Sequence, residues 1–447
     1  MAADGSEVAF GRNDDKEEST STNADMFLVP TSGGAIRKFG AAAGFDGLPR
    51  YSPDGSMIAY HAQMRAGFEA DRWRLMVYDR KTGATRNLSE PFDRSVEEIA
   101  WSPDSKTIYF TAGDGTANPL FAIAAAGGAP RKVADGHLTQ LSISKDGAKA
   151  IMALDSLRKP ADVVAVDLAS GNISRLTETN DAALATFALL PSESITYTGA
   201  LGKKVQAWIT KPANFDASRK YPLLVIVHGG PQSVFADGWS FRWNPQVFAG
   251  AGFVVFMPNP RGSTGFGQAF TDDVSKDWGG KAYEDVMKGT DFAAALPYVD
   301  KDRVLAAGAS YGGYMINWMC TQTKRFKGLV SHDGVYDLTS MAGSTEEQWF
   351  SDWELGGPPW GKDRTQYEKF SPSRFISQCT TPTLIIHNDR DYRLPIEQGL
   401  QMFTALQRQG VPSRLVMFPE ENHWVLKAEN SVRWYEEVLG WLKKWAN

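Results

Sequence analysis

The sequence predicts two domains of different fold class: an all-β repeat domain over residues 1–180 and a domain with a doubly wound, mostly parallel β-sheet over residues 181–447. Short strand-like segments recur about every 40–50 residues in the first part. In the second part, apolar strand-like runs alternate with amphipathic helical segments. A chain of 447 residues is also longer than one ordinary hydrophobic core supports, so more than one domain is expected.

Two landmarks define the repeat. An aspartate that follows a strand-like run recurs at spacings of 50 and 42 residues, at Asp54, Asp104 and Asp146. A turn glycine recurs at spacings of 50, 44 and 44 residues, at Gly33, Gly83, Gly127 and Gly171. Periods of this length with several short strands are typical of β-propeller blades, whereas a β-sandwich rarely keeps two landmarks in phase. We therefore predict about four blade-like repeats, of which the first is incomplete.

The chain begins inside the repeat, because Asp4 aligns with Asp54 at the same spacing of 50 residues. A propeller that begins within a blade leaves a strand edge without a partner. We therefore expect a partial β-propeller, shortened from a longer form. Its exposed edges would be covered by a second copy of the chain, in a homo-oligomer, or by a missing N-terminal fragment.

Composition narrows the classes of partner. The formal net charge is −5, from 47 basic and 52 acidic residues, and no basic cluster suggests a nucleic-acid partner. No apolar run approaches the roughly 18 residues of a membrane span, and the first residues do not resemble a signal peptide. We expect a soluble chain, cytoplasmic as it stands, and periplasmic or secreted if an upstream signal has been removed. Cys320 and Cys379 are expected to be buried free thiols.

The second half of the chain is predicted to form a parallel β-sheet that is covered on both faces. The predicted strands are residues 223–227, 253–257, 304–307, 329–331, 383–387 and 414–418. Helical segments such as residues 283–295 and 396–409 lie between several of them. In sheets of this kind, the chemistry takes place at the carboxyl ends of the strands.

A serine motif lies at one of these strand ends. Gly308-Ala309-Ser310-Tyr311-Gly312 follows an apolar run and precedes a helical segment, 314–320. This is the G-x-S-x-G nucleophile elbow in the strand–turn–helix context that it requires. Glycines flank the serine because a side chain on either neighbour would clash in the strained turn. Ser310 is the predicted nucleophile.

Two further polar residues follow later strands in the order of a catalytic triad. Asp391 lies in the loop after strand 383–387, and His423 follows strand 414–418. The order Ser, Asp, His is that of the α/β-hydrolase fold. The predicted fold class is thus an α/β-hydrolase domain preceded by an all-β, partial β-propeller domain. Ser310 would attack a carbonyl group, His423 would accept and return its proton, and Asp391 would orient the imidazole.

Other residues compete for two of these roles. Asp389 competes with Asp391 as the orienting acid, although its place before Tyr-Arg-x-Pro favours Asp391. His332, next to Asp333, is a second possible base, but it precedes the acid loop and breaks the chain order. His387, at the end of an apolar strand, is expected to be structural.

The oxyanion hole is predicted from two backbone donors. One is the N–H of Tyr311, and the other lies in the loop His228-Gly229-Gly230-Pro231-Gln232, where Gly230 is the favoured donor. Glycines let the backbone approach a substrate closely. One such donor contributes about 3–4 kcal/mol to stabilisation of the transition state.

Six ordered motifs carry a resemblance to a known family. They are His228-Gly229-Gly230-Pro231, Arg261-Gly262-Ser263-Thr264-Gly265-Phe266-Gly267, Asp277-Trp278-Gly279-Gly280, Gly308-Ala309-Ser310-Tyr311-Gly312-Gly313-Tyr314, Asp391-Tyr392-Arg393-Leu394-Pro395 and Asn422-His423-Trp424. Together they resemble the prolyl oligopeptidase family of serine peptidases, most closely its branch of acylaminoacyl peptidases and dipeptidyl peptidases of the fifth type. The resemblance covers residues 181–447, and the repeats fit a shortened form of the family's N-terminal propeller.

The resemblance implies a serine exopeptidase that hydrolyses short peptides through an acyl-enzyme, with the propeller capping the active site. It implies no metal and no organic cofactor, and it leaves dipeptidyl-peptidase and acylaminoacyl-peptidase specificity open. An esterase or amidase acting on small acyl substrates is an alternative, because the same triad cleaves both kinds of bond. A non-catalytic propeller interaction protein is a third reading, which three intact triad residues disfavour.

Substrate-binding residues are predicted in both halves. A dipeptidyl peptidase needs acidic side chains to bind the free α-ammonium of its substrate, and Glu69 and Asp71 are the predicted acids. Asp71 lies next to Arg72 and is also compatible with a solvated ion pair. Trp239 is predicted to wall a pocket for an apolar P1 side chain, and Tyr314 lies close in sequence to the elbow.

Overall fold

The computed structural model of the chain describes residues 1–40 and 42–446. The chain divides into two compact units. Unit 1 consists of Met1–Ala183 together with two later segments, Ala236–Trp239 and Thr264–Ala269. Unit 2 consists of Leu184–Phe235, Ser240–Ser263 and Phe270–Asn447.

The described part of unit 1 contains four antiparallel sheets that follow one another along the chain. The first has three strands: β1 (Glu7–Arg12), β2 (Asp25–Pro30) and β3 (Arg37–Phe39). The second has β4 (Asp46–Tyr51), β5 (Met57–Ala62), β6 (Arg74–Asp79) and β7 (Thr85–Asn87). The third has β8 (Val96–Trp101), β9 (Thr107–Ala112), β10 (Leu120–Ala124) and β11 (Arg131–Ala134). The fourth has β12 (His137–Ile143), β13 (Lys149–Ser156), β14 (Lys159–Asp167) and β15 (Ile173–Arg175).

A serine–aspartate turn closes the first hairpin of each four-stranded sheet. In the turn between β4 and β5, Ser52 Oγ donates to Asp54 Oδ1 at 2.7 Å and accepts from the Met57 N–H at 2.9 Å. The same bonds recur around Ser102–Asp104 and Ser144–Asp146. The hydrogen bond that the Ser52 hydroxyl donates is the main reason why the pKa of Asp54 is lowered. The repeated aspartate is therefore a turn residue, which explains why it keeps the period of the sheets.

Apolar side chains from successive strands form the cores of unit 1. Phe110 of β9 stacks against Phe121 of β10 with 5.6 Å between the ring centroids, and both rings are buried. Leu75 and Val77 of β6 belong to the same cluster. Each of these strands buries alternate or continuous apolar positions because the sheets cover one another's faces.

Unit 2 is built on one sheet whose eight described strands have the order β16-β17-β19-β18-β20-β21-β22-β23. The strands are β16 (Ser192–Thr198), β17 (Lys204–Thr210), β18 (Tyr221–Val227), β19 (Val254–Asn259), β20 (Val299–Ala309), β21 (Leu329–His332), β22 (Thr383–Asn388) and β23 (Ser413–Phe418). β16, β17 and β19 pair antiparallel, and all pairs from β19 to β23 are parallel. β19 is buried along its whole length and β18 at every position except Pro222, as expected of a sheet covered on both faces.

Helices connect most of these strands. They are α1 (Asp181–Leu184), α2 (Pro245–Gly250), α3 (Gln268–Asp272), α4 (Lys281–Ala294), α5 (Tyr311–Gln322), α6 (Leu338–Ala342), α7 (Gln348–Leu355), α8 (Thr365–Phe370), α9 (Glu397–Arg408) and α10 (Ala428–Ala446). Three short 3-10 turns lie at Glu18–Thr20, Ala200–Gly202 and Pro372–Gln378. Among the residues described, no helix is both long and apolar enough to cross a lipid bilayer.

A buried ion pair fixes the loop after β19. Arg261 Nε lies 2.9 Å from Asp285 Oδ2 on α4, and both side chains are fully buried. Asp285 also accepts from the Arg261 N–H at 3.0 Å and from the Ala200 N–H at 2.7 Å. Because the carboxylate is fully hydrogen-bonded, removal of one partner would leave an uncompensated buried charge.

The prediction that Cys320 and Cys379 are free thiols is wrong. The two cysteines form a disulfide that joins the last turn of α5 to the residue after the 3-10 turn Pro372–Gln378. Their Cα atoms lie 5.0 Å apart, whereas 59 positions separate them in the sequence. Both cysteines are buried, as expected.

We expect reduction of the Cys320–Cys379 disulfide to lower the free energy of unfolding of unit 2 by about 4 kcal/mol, because a cross-link over a loop of this length restricts the unfolded chain. The measurement is urea unfolding followed by tryptophan fluorescence, with and without dithiothreitol. The double variant Cys320→Ala, Cys379→Ala is the control, since dithiothreitol should not change its unfolding. Identical wild-type midpoints in the two conditions would contradict the prediction.

Candidate active site

Ser310 occupies a sharp turn between β20 and α5. Its backbone has φ 60° and ψ −122°, and its N–H donates to the His332 carbonyl at 3.0 Å. A Cβ on Gly308 would lie 2.5 Å from the Gly312 carbonyl oxygen, and a Cβ on Gly312 would lie 2.1 Å from the Val227 carbonyl oxygen. Neither glycine can therefore carry a side chain, which is the physical reason for the G-x-S-x-G pattern.

His423 and Asp391 are hydrogen-bonded to each other. His423 Nδ1 lies 2.6 Å from Asp391 Oδ2, and the other oxygen of Asp391 accepts from the N–H groups of Arg393 at 3.0 Å and Leu394 at 2.9 Å. Asp391 is buried. A carboxylate only accepts, so His423 Nδ1 carries the proton and Nε2 is left as the basic nitrogen.

The three residues lie at the carboxyl ends of β20, β22 and β23. In the part of the chain that the structure describes, Ser310 Oγ makes no hydrogen bond, so its contact with His423 is not formed in this state. Catalytic hydrogen bonds are often long without substrate and shorten when it binds.

The competing residues have other surroundings. Asp389 is exposed, and its N–H donates to the Phe418 carbonyl. His387 Nε2 lies 2.7 Å from the Leu394 carbonyl, to which it donates. Burial lowers the pKa of His332 to about 3, so this ring stays neutral. His423 is thus the histidine that the structure pairs with the predicted acid.

His228 orients the predicted oxyanion loop. Its Nδ1 lies 2.7 Å from the Gly229 carbonyl and its Nε2 lies 2.9 Å from Ser263 Oγ. Burial lowers the pKa of His228 to about 4, so the neutral ring has one N–H, which Nδ1 must carry because a carbonyl only accepts. The bond fixes the peptide plane between Gly229 and Gly230, in which the Gly230 N–H points away from the carbonyl.

The oxyanion loop passes close to the nucleophile. A Cβ on Gly229 would lie 3.1 Å from Ser310 Cβ and 3.7 Å from Ser310 Oγ. Tyr311 is the first residue of α5, so its N–H has no acceptor within the helix. Tyr311 and Gly230 thus lie on segments that adjoin Ser310, and their role as the donors of an oxyanion hole stays a prediction.

The two predicted acids of unit 1 differ in their surroundings. Asp71 is buried, and its carboxylate accepts from the backbone N–H groups of Met64 at 2.6 Å and Arg65 at 3.1 Å. It also accepts from Arg65 Nε at 2.7 Å and Arg74 Nη1 at 3.2 Å. Glu69 is exposed. Asp71 thus has a structural role within unit 1, and its role in binding an amino terminus stays a prediction.

The two predicted aromatic residues also have structural partners. Within unit 1, the backbone N–H of Trp239 donates to Asp155 Oδ2 at 2.8 Å. The other oxygen of Asp155 lies 2.5 Å from His137 Nδ1. Within unit 2, Tyr314 is fully buried, and its hydroxyl donates to the Phe370 carbonyl at 3.0 Å. A substrate contact of either ring stays a prediction.

Sequence reasoning assigned no role to the charged residues around Trp424. The Trp424 ring lies next to the His423 ring, with 5.6 Å between their centroids. The guanidinium groups of Arg242 and Arg393 lie 5.8 Å and 5.3 Å from the centroid of the Trp424 ring. Arg393 also pairs with Glu347 at 2.6 Å. A tryptophan with two cations over it therefore borders the basic histidine.

A buried polar cluster behind the triad acid was also missed. Among the described residues, Asp333, His387 and Asp391 form a group whose potential metal ligand atoms lie within 4.8 Å of one another. Each side chain is buried and already hydrogen-bonded within the protein. The cluster therefore has the character of a hydrogen-bonded network. No local sequence signal identifies it.

Residues 239–447 match the sequence profile of the prolyl oligopeptidase family. The chain is 38% identical over 432 residues to dipeptidyl-peptidase 5 of Schizosaccharomyces pombe, covering 95% of this chain and 62% of the relative. It is 34% identical over 449 residues to dipeptidyl-peptidase 5 of Porphyromonas gingivalis, covering 99% of this chain and 66% of the relative. The chain therefore spans just under two thirds of the length of these curated relatives.

Solved structures share the fold. The uncomplexed acylaminoacyl peptidase of Pyrococcus horikoshii superposes with a TM-score of 0.86 at 22% identity, covering 99% of this chain and 70% of that one. Dipeptidyl peptidase 4 of Porphyromonas gingivalis superposes with a TM-score of 0.77 at 20% identity, covering 98% of this chain and 62% of that one. These likenesses confirm the predicted fold class, an α/β-hydrolase domain preceded by a partial β-propeller. The profile match and the full-chain likeness to dipeptidyl-peptidase 5 confirm the predicted resemblance, and residues 239–447 of the chain belong to the prolyl oligopeptidase family.

Proposed function

We propose that the chain is a serine exopeptidase that releases dipeptides from the free amino terminus of short peptides, as the names of its relatives describe for them. The observation that carries the proposal is the 2.6 Å hydrogen bond between His423 and Asp391, at the sheet edge where Ser310 leaves β20. That bond leaves His423 Nε2 as the basic nitrogen, on a loop at the same sheet edge as Ser310.

The geometry supports an acyl-enzyme mechanism. Ser310 Oγ attacks the carbonyl carbon of the scissile bond while His423 Nε2 accepts its proton, and Asp391 stabilises the imidazolium through Nδ1. Hydrogen bonds from the N–H groups of Tyr311 and Gly230 stabilise the negative charge that develops on the carbonyl oxygen. The intermediate collapses, the scissile C–N bond breaks, and His423 returns the proton to the leaving amine. Water then attacks the acyl-enzyme in the same way and regenerates the Ser310 hydroxyl.

The proposed substrate class rests on the relatives and on Glu69. The curated relatives are named dipeptidyl-peptidases, and they are 34–38% identical over nearly all of this chain. The acylaminoacyl peptidase structure, at 22% identity, shows the fold alone. Of the two predicted acids, Glu69 is exposed to solvent and Asp71 is buried. We therefore assign the binding of the substrate's α-ammonium to Glu69. We also propose that the substrate has an apolar P1 side chain.

Loss of the nucleophile tests the mechanism. We expect Ser310→Ala and His423→Ala each to lower the kcat for release of a chromogenic arylamide by about 10⁶-fold, and Asp391→Asn to lower it by about 10⁴-fold. The double variant Ser310→Ala, His423→Ala should be no slower than either single variant, because the residues act as a unit. Thermal unfolding of each variant is the control for folding. Undiminished turnover by Ser310→Ala would refute the assignment.

The state of the substrate's amino terminus tests the exopeptidase type. We expect dipeptidyl arylamides with a free amine to have a kcat/KM about 10–100-fold higher than their N-acetylated forms, because a hydrogen bond between charged groups contributes about 1.5–3 kcal/mol. Glu69→Gln should remove most of this preference. Glu178→Gln is the matched control, because Glu178 is an acid of unit 1 whose side chain is 74% exposed. A preference for the acetylated substrates would contradict the dipeptidyl assignment.

His228 tests the oxyanion hole. We expect His228→Ala to lower kcat by about 10–100-fold with little change in KM, because the freed Gly229–Gly230 peptide no longer presents its N–H in a fixed direction. Ser263→Ala is the comparison, since it removes the partner of Nε2 and leaves the Nδ1 bond to Gly229 in place. Its effect on kcat should be smaller. A rise in KM at constant kcat would mean that His228 acts on substrate binding.

A further inference from the structure

We propose that Asp333 is a positioning residue that holds the loops of Asp391 and His423 in place relative to the nucleophile elbow, acting through Asn388. The inference rests on the proposed function, since it takes Ser310, Asp391 and His423 as the triad. Asp333 does not touch the reacting atoms and is not itself a catalytic residue.

The backbone around Asp333 joins the elbow to β22. The carbonyl of His332, the last residue of β21, accepts from the Ser310 N–H at 3.0 Å. The Asp333 N–H, one residue later, donates to the Ile386 carbonyl of β22 at 2.8 Å. The single peptide group between His332 and Asp333 thus binds the nucleophile turn through its carbonyl and the strand that leads to Asp391 through its N–H.

Both carboxylate oxygens of Asp333 accept hydrogen bonds from Asn388. Oδ1 accepts from the Asn388 backbone N–H at 3.0 Å, and Oδ2 accepts from Asn388 Nδ2 at 3.1 Å. Asn388 is the last residue of β22, and it begins the loop that carries Asp391. Both residues are fully buried, so water does not compete for these bonds.

Asn388 extends the connection to the remaining two triad residues. Its second Nδ2 hydrogen is donated to the carbonyl of Asn422, the residue before His423, at 2.7 Å. Its own carbonyl accepts from the Asp391 N–H at 3.4 Å. One asparagine side chain and backbone therefore contact the acid loop and the histidine loop together, and Asp333 fixes the orientation of that asparagine.

The surroundings of Asp333 are unfavourable for a residue without a function. Its backbone has φ +43°, in the left-handed region that residues with a Cβ rarely adopt, and its carboxyl group is completely buried. Burial raises its pKa to about 7. The groups that face it are His387, with Nε2 3.9 Å from Oδ1, His332, with Nε2 2.9 Å from Oδ2 but not aligned for a hydrogen bond, and Asp391.

A second route from the same cluster reaches the triad acid. His387 Nε2 donates to the Leu394 carbonyl, and the Leu394 N–H donates to Asp391 Oδ1. His387 therefore fixes the far side of the acid loop, while Asp333 and Asn388 fix its beginning. The Asp391 carboxylate has no freedom to turn away from His423 as long as both ends are held.

The test uses the full chain with Asp333→Asn, Asn388→Ala and the double variant. Two rates are measured: arylamide turnover, as kcat and KM, and covalent labelling of Ser310 by a fluorophosphonate, in which an Oγ–P bond forms and fluoride leaves. We expect each single variant to lower kcat and the labelling rate by about 10–100-fold, because small displacements of catalytic groups have effects of this size, with KM unchanged within about threefold. The double variant should be no slower than the slower single variant, because both substitutions break one connection.

Asn317→Ala is the matched control. Asn317 is a buried asparagine of α5 whose Nδ2 donates to the Val335 carbonyl, and among the described residues it makes no hydrogen bond to the loops of Asp391 or His423. It should lower the melting temperature while it keeps kcat. If Asp333→Asn does not fold, Asn388→Ala carries the test, since it keeps the carboxylate. Variants that lose only melting temperature, or single effects that multiply in the double variant, would overturn the proposal.

Labelling also separates this inference from the proposed function. A wild-type chain that is labelled at Ser310 but cleaves no peptide would overturn the peptide substrate, and the effect of Asp333→Asn on the labelling rate would still decide the role of Asp333. A wild-type chain that is not labelled would overturn the serine nucleophile and the role of Asp333 together.

Discussion

The strained backbone of Ser310 is the constraint on which the rest of unit 2 depends. A non-glycine residue in this conformation costs about 1–3 kcal/mol, and here it turns the chain from β20 into α5. Eleven of the twelve residues of α5 are buried, and burial of that helix offsets the strain. The turn is also tied to β21 by the bond from the Ser310 N–H to the His332 carbonyl. The same packing that tolerates the strain therefore aligns the nucleophile with the neighbouring strand ends.

Features that depend on local chemistry were predictable from the sequence. The elbow needs glycine at 308 and 312 because carbonyl groups lie where a Cβ would be, and that requirement leaves a readable pattern. The repeated aspartate of unit 1 is readable because each copy closes the same serine–aspartate turn. The pairing of Asp391 with His423 was predictable because parallel strands bring their carboxyl ends to one edge of the sheet. In each case the physical cause requires a particular residue type at a fixed place beside a turn or a strand end, and that pattern is visible in the sequence.

Features that depend on contacts between distant residues were not predictable. Nothing near Cys320 indicates that Cys379 lies against it, and nothing near Asp333 indicates that Asn388, 55 positions later, will take both of its oxygens. Tyr314 was chosen for its nearness to Ser310 in sequence, yet its place on α5 buries the ring and directs the hydroxyl to Phe370. The segments 236–239 and 264–269 belong to unit 1 although the flanking chain belongs to unit 2. Only the packed fold determines these relationships.

The residues of the proposed chemistry and those of the proposed substrate recognition lie in different units. Ser310, Asp391, His423 and both oxyanion donors lie in unit 2, as does the network around Asp333, whereas Glu69 and Asp71 lie in unit 1. The proposed acyl transfer uses the first group, whose hydrogen bonds from His423, His228 and Asp333 go to residues of unit 2. Changes in unit 1 should therefore alter which peptides are accepted and leave the intrinsic reactivity of Ser310 unchanged. Reactivity toward a small fluorophosphonate and preference for a free amino terminus are then independent properties of one chain.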